Sequence, residues 1–278
     1  MSTSATEAAF EGFRVTRSRP GAVLLWAGVW LVGLIAMILL LVPLVGPWIE
    51  EIGATGGDAA RLSPEAAAGL QRATLAFIPV LLVLQGLLSA AVYRVVLRPE
   101  EKALGSLRLG RDEGRVLVVG VLTGLLSASA NFGGEWLVRA AMGAAGPLVA
   151  TGLSLLLTAG LVALAVRLSL IAPLTFLKRR FAFREGWTAS GRLFWPLLGM
   201  TIIVITLALV VVLLLIIVGW PMQSVLTAPA GAASPGAAVG ALLMLLLIPL
   251  GMALVTTITW APFAAISRDL PEGKLVKG

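Results

Sequence analysis

The chain has 278 residues, 59% of them hydrophobic and only 13% charged, with a mean hydropathy of +1.00. A soluble domain carries about a quarter charged residues, so a water-coated globule is excluded and lipid must be the solvent for most of the chain. The net charge is +7, and neither Cys nor His occurs, which excludes disulfides, thiolate nucleophiles, Cys- or His-ligated metals and the commonest general base.

In a soluble protein such a positive charge would suggest nucleic acid. Here the basic clusters are short connections between apolar runs, which points to cations gathered on one membrane face and not to nucleic-acid binding. Arg far outnumbers Lys, and Ala, Gly, Leu and Val abound. This composition is expected of a GC-rich bacterial genome.

Residues 1–21 are polar, with Arg14, Arg17 and Arg19 ahead of Pro20. Ala22 to Pro43 is then an uninterrupted apolar run of 22 residues. At about 1.5 Å per residue it spans a hydrocarbon core of roughly 30 Å. A signal peptide has a shorter apolar core and a small-residue cleavage site, so an uncleaved first helix is expected. Trp26 and Trp48 would mark its two interfaces. The first loop, 47–73, holds S-P-E at Ser63 to Glu65, a helix-start signal. The second span is predicted over 73–96, with Gln85 and Ser89 on one face as a helix contact and Pro79 inside.

R-P-E-E-K from Arg98 predicts the first turn of a short surface helix. In the same loop Asp112 and Glu113 are flanked by Arg111 and Arg115, and a solvated, self-paired loop is expected. The third span, 116–137, is the least apolar. Gly120 and Gly124 form a GxxxG spacing that would admit another helix closely. Ser127, Asn131, Glu135 and Arg139 recur every four residues on one face. Gly143 to Pro147 leads to the fourth span, 148–170, where Thr151, Ser154 and Thr158 follow helical spacing. The stretch from Arg167 to Pro196 carries Arg167, Lys178, Arg179, Arg180, Arg184 and Arg192. From Phe183 it reads as an amphipathic interfacial helix, with Phe183, Trp187 and Phe194 facing one way and Arg184 and Arg192 the other. The fifth span is predicted over 197–218, followed by an uncharged loop over 219–236. The sixth, 237–262, is expected to kink at Pro249, ahead of a polar tail.

The Lys and Arg residues alternate between connections. The N-terminal segment has three, the second and fourth connections six each and the tail three, against two, one and none in the first, third and fifth. The positive-inside rule therefore places both termini in the cytoplasm. The expected organisation is a cytoplasmic segment (1–21), a six-helix transmembrane domain (22–264) and a cytoplasmic tail (265–278). The fold class is all-α and polytopic, with short interfacial helices in the inner loops.

Two readings fit the polar stripe. Ser127, Asn131 and Glu135 could line a proton or cation site, or Glu135 could pair with Arg139 at i, i+4. Glu135 lies about 28 Å along the span, at its outer interface, and this favours the pair. Arg94 and Arg167 end the second and fourth spans. Snorkelling accounts for them, and the alternative is binding of an anionic lipid headgroup with Lys178, Arg179 and Arg180. No residue pattern supports a catalytic, metal or cofactor site, and none is expected.

The outward-to-inward spans end alike, in AVYRVVLRPEEKALG, APLTFLKRRFAFREG and APFAAISRDLPEG. This suggests three related hairpins. VRLSLIAPLTFLKRRFAFREGWTASGRLFWPLLG and SRDLPEG resemble the membrane domain attached to some bacterial glycerophosphoryl diester phosphodiesterases, which also occurs alone in uncharacterised six-span inner-membrane proteins. Arg167, Pro173, Lys178 to Arg180, Trp187, Ser190 and Leu193 carry the resemblance. It implies the fold and a bacterial inner-membrane location. The hydrolase's catalytic barrel, its His residues and its metal-binding acids are absent from this sequence, so no phosphodiesterase activity is implied.

The functional expectation is lipid or small-molecule handling or transport, with the bilayer and its anionic headgroups as partners. The alternative is a non-catalytic module that binds a protein partner or senses the bilayer. A midplane cavity holding Asn131 and reaching Glu135 would favour transport. A lateral groove lined by Arg94 and Arg167 would favour lipid handling, and a closed bundle the module.

Overall fold

Six helical stretches are long and apolar enough to cross a membrane: Pro20–Ala54, Pro64–Leu97, Arg111–Ala145, Pro147–Lys178, Phe194–Trp220 and Leu242–Asp269. The computed structural model describes residues 4–56, 58, 61–101, 106–108, 110–226 and 235–270. These residues hold helices and turns and no strand. The third crossing has the lowest mean hydropathy, 1.7 against 2.2 or more elsewhere, as its polar stripe predicts.

In chain order the helices are α1 (Ala5–Ala9), α2 (Glu11–Ser18), α3 (Pro20–Val45), α4 (Ile49–Ala54), α5 (Pro64–Leu97), α6 (Arg111–Ala145), α7 (Pro147–Leu168), α8 (Ile171–Lys178), α9 (Phe183–Arg192), α10 (Phe194–Leu226) and α11 (Pro235–Asp269). Pro20, Pro64 and Pro147 each open a long helix, where the missing N–H costs nothing and the fixed φ is already helical. Ser63 caps α5 as expected: its hydroxyl accepts from the Ala66 N–H at 3.3 Å. Each consecutive long pair, α3 with α5, α6 with α7 and α10 with α11, packs as a hairpin, and α11 also packs on α3 and α5.

The tight packing is concentrated at one end. Buried residues cluster in the first half of α3 (Trp26, Trp30), the last half of α5 (Leu88 to Val96), the start of α6 (Val116, Val119), the start of α10 (Leu197, Met200) and the end of α11 (Ala261 to Ile266). Because the helices alternate in direction, these segments share one end, the one bearing the basic connections. Small residues let the backbones approach there. Toward the opposite end Val32, Leu39, Leu125, Phe132, Leu155 and Ile217 stand exposed, a surface suited to lipid and not to water. A buried hydrogen bond crosses the apolar interior, from Trp30 Nε1 to Thr256 Oγ1 at 3.2 Å. Thr256→Val removes the acceptor and should lower stability by about 0.6–1.7 kcal/mol, measurable by thermal unfolding in detergent.

Four local readings are filled in or corrected. The polar N-terminal segment is ordered as α1 and α2, with a reciprocal capping box between Ser4 and Glu7, and it packs beneath α10 and α11. Gly12 explains the closeness, since a Cβ there would lie 2.5 Å from Ile258 Cα. R-P-E-E-K does not start a helix over its described residues 98–101. Arg98 ends α5 instead, and Glu101 N–H closes a turn on Arg98 O at 3.1 Å. Lys102 and the three residues after it lie outside the described residues, as do 227–234 of the fifth loop and 271–278 of the tail. The fourth span does not run straight into an interfacial stretch. It breaks after α7, and α8 is inserted with Ile171, Pro173, Leu174, Thr175 and Phe176 all buried. The sequence IAPLTF is apolar all round, so the helix is a core element.

The fourth concerns α9. It is the expected short amphipathic helix, but its buried edge is Gly186 and Ser190, with Gly186 against the Ile171 backbone. Phe183 and Trp187 lie on its exposed surface.

Candidate functional site

A cavity of about 460 Å³ lies between the α6–α7 hairpin and the inner walls of α5, α8, α10 and α11. Its lining is mostly apolar, with Leu82, Leu117, Val121 and Phe263 among the walls. Such a composition, with a few placed polar groups, is typical of small-molecule sites. Among the polar groups here are Gln85, Ser89, Tyr93, Thr123, Ser127 and Thr259.

Two sequence features acquire different roles in this cavity. Gly120 and Gly124 were expected to admit a packed helix, yet a Cβ at either would meet nothing within 4 Å. They line the void. The close contact falls one helix over, where a Cβ on Gly86 would come within 2.8 Å of Leu117. Gln85 and Ser89, expected as a helix contact, also line the cavity. Ser89 returns its hydroxyl to Gly86 O at 3.2 Å.

Tyr93 stands at the basic end of the cavity, tilted on Phe176 at 6.1 Å and edge-on to Trp260 at 6.2 Å. Its hydroxyl is buried and has no hydrogen-bond partner. Ser267 is the other described residue with such an atom. A buried hydroxyl left unpaired costs about 1–3 kcal/mol, so a bound group able to accept from Tyr93 would be stabilised there.

The predicted stripe is divided. Ser127 faces the main cavity. Asn131, Glu135 and Arg139 line a separate groove of about 240 Å³ with Ser154 and Thr158 of α7. Glu135 and Arg139 pair at 3.2 Å, both more than half exposed, and at such exposure the pair adds a few tenths of a kcal/mol. The cavity does not hold Asn131 or reach Glu135, and neither Arg94 nor Arg167 lines it.

Arg94 does not snorkel. Its side chain is 3% exposed and its guanidinium forms a close ion pair with Glu113, while Nη1 donates to Ser106 O at 2.7 Å and Nε to Glu101 at 3.1 Å. One turn on, Arg98 donates to Asp112 at 3.0 Å and to Phe176 O at 2.6 Å. Both guanidiniums lie over the Phe176 ring, at 5.5 and 4.5 Å. Asp112 and Glu113 are therefore not a solvated loop: they open α6 and clamp it to the end of α5. The physical cause is position. Acids at a helix N-terminus and cations at a helix C-terminus each complement the dipole, and the antiparallel arrangement brings the two together.

Arg167 packs its guanidinium on the Trp187 ring at 4.4 Å and crosses Gly191, where any Cβ would collide with it. Its carbonyl accepts from Ser190 Oγ at 2.6 Å, so Arg167 fastens α9 to α7. Lys178 and Arg180 both pair closely with Glu185. The Lys178 hydrogen bond, with Arg180 behind it, holds the Glu185 carboxyl below its ordinary value of 4.5. A depressed carboxyl contributes stability above the unfolded-state pKa and loses it as pH falls toward the folded one. The difference in thermal stability between wild type and Glu185→Gln should therefore be present at pH 7 and vanish as the pH drops below 4.5. Arg179 reaches Glu101 at 3.4 Å and Asp112 at 3.9 Å from a left-handed backbone, φ 53°.

The fold and site define a polytopic all-α protein with six candidate membrane helices, five of which line an apolar cavity. No family model, no curated protein and no solved structure matches the chain.

Proposed function

We propose that this chain is a non-catalytic bacterial inner-membrane protein, with both termini cytoplasmic, that binds and handles a lipid or similar amphiphile in the cavity between the α6–α7 hairpin and the rest of the bundle. The alternation of Lys and Arg supports the orientation. The carrying observation is a cavity of about 460 Å³ whose GxxxG wall meets no helix and whose Tyr93 hydroxyl has no partner. Apolar walls suit an acyl chain, and the phenol suits an ester carbonyl or another acceptor near its end.

Gly124→Trp tests the reading. No atom lies within 4 Å of a Cβ at Gly124, which lines the cavity, so a larger side chain starts there without a backbone clash. Native mass spectrometry should show an amphiphile retained by wild type and lost by the variant, with thermal stability unchanged in stripped samples. Equal retention by both would sink the proposal.

One feature favours a second reading, a module for a protein partner. Beyond the cavity the outer parts of α6 and α7 bury only Gly134 and Ala150, leaving a polar and apolar face that a partner's helix could cover. Crosslinking from Trp136 in native membranes to a second polypeptide, with no amphiphile in the cavity, would favour it.

A further inference from the structure

A second pocket of about 480 Å³ lies at the basic end and shares no lining residue with the apolar cavity. Its floor is the buried layer of Arg94, Arg98 and Glu113, and its wall and rim are Arg108, Arg111, Arg115 and Arg179. Three carboxylates, Glu101, Asp112 and Glu113, face these six guanidiniums, so the pocket carries three uncompensated positive charges. Arg94 pairs closely with Glu113, and Asp112 holds Arg98 at 3.0 Å and Arg115 at 2.7 Å, but the pairs to Glu101 are shared and stretched. Glu101 serves Arg94 at 3.1 Å, Arg98 at 3.6 Å, Arg108 at 3.7 Å and Arg179 at 3.4 Å. Among the described residues Arg111 has no ionic partner.

Two further observations point the same way. Arg111 is the first residue of α6, and Gly110 before it supplies no side-chain cap, so the start of a 35-residue helix lines the pocket, with Asp112 and Glu113 already in its first turn. Backbone N–H groups and guanidiniums together are the usual recognition set for phosphate oxygens. Of the two non-glycine described residues with positive φ, Arg179 at 53° lines this pocket and Ser106 at 58° holds Arg94 behind it. Ser106 presents its carbonyl to Arg94, and Arg179 projects its guanidinium over Glu101 and Asp112. Strained backbone of this kind gathers at ligand clamps.

We propose that this pocket binds a phosphate group, held by Arg108, Arg111, Arg115 and Arg179 above the Arg94–Glu113 pair. The group is either the headgroup of an anionic phospholipid or a free phosphate. The proposal does not rest on the cavity reading.

The test uses the full chain, purified in a neutral detergent and offered phosphatidylcholine and phosphatidic acid in equal amounts. Native mass spectrometry should show phosphatidic acid preferred by wild type. At about five-fold per cation, Arg108→Gln with Arg111→Gln should weaken that preference about 25-fold. Arg184→Gln with Arg192→Gln removes the same charge from α9 and should change it less than two-fold. Inorganic phosphate added in the millimolar range separates the sources. Displacement of the lipid assigns the pocket to phosphate in either form, and no displacement assigns it to the lipid headgroup. Arg179→Gly relieves the left-handed backbone while removing one cation, so it should raise the melting temperature and weaken retention about five-fold. Equal losses in the pocket and α9 pairs would mean diffuse surface charge and overturn the proposal, as would undiminished retention in the pocket pair.

Discussion

Replacing Glu113 with Ala is expected to destabilise the folded chain by about 3–5 kcal/mol, the cost of breaking a buried ion pair from one side. Glu113 is 7% exposed and Arg94 3%. Arg94 cannot relieve the loss by releasing its proton, because a guanidinium stays charged at any relevant pH. Glu101 and Ser106 O keep their bonds to Arg94, which limits the damage but leaves Nη2 without its carboxylate. The companion variant Arg94→Met with Glu113→Leu removes both charges and should recover most of the loss, since apolar replacement of a complete buried pair is often neutral. Thermal unfolding of the two variants in the same detergent decides the matter. If Glu113→Ala melted like wild type, the pair would not be holding α5 to α6.

The second large effect is expected at Gly12. A Cβ there would lie 2.5 Å from Ile258 Cα and 3.0 Å from Thr257 O. Both are backbone atoms that cannot swing aside, so α2 must lift from α11. Gly12→Ala should cost about 1–3 kcal/mol, and Gly12→Leu should detach the N-terminal helices outright. Hydrogen exchange would then rise across α1 and α2 and stay low in the end of α11, as a local opening requires. Gly21→Ala is the matched control, because nothing lies within 4 Å of a Cβ there. Equal exchange in wild type and Gly12→Leu would contradict the docked arrangement.

The spans were legible because bilayer thickness imposes a length that apolar runs either meet or miss. Where side chains from separate helices meet was less so. GxxxG in α6 states that a close approach is sterically permitted, and the sequence holds no sign that the partner helix stays away. Glu135 with Arg139 was readable because the pair is local, set by helical spacing alone. Arg94 with Glu113 was not read, although a signal existed. Arg94 and Arg98 close one helix while Asp112 and Glu113 open the next, a charge complement across a short antiparallel connection. The Ser4 and Glu7 spacing was likewise a readable capping box. Burial of α8 had a mark in the apolar run IAPLTF, whereas the unpaired Tyr93 hydroxyl depends on three-dimensional packing and leaves none.

The chain contains a single tyrosine, and it is the one in the cavity wall. Uniform biosynthetic incorporation of fluorotyrosine would therefore place one fluorine nucleus beside the cavity and nowhere else. Its chemical shift would report whether that space is full or empty, without mutation and without an assignment problem.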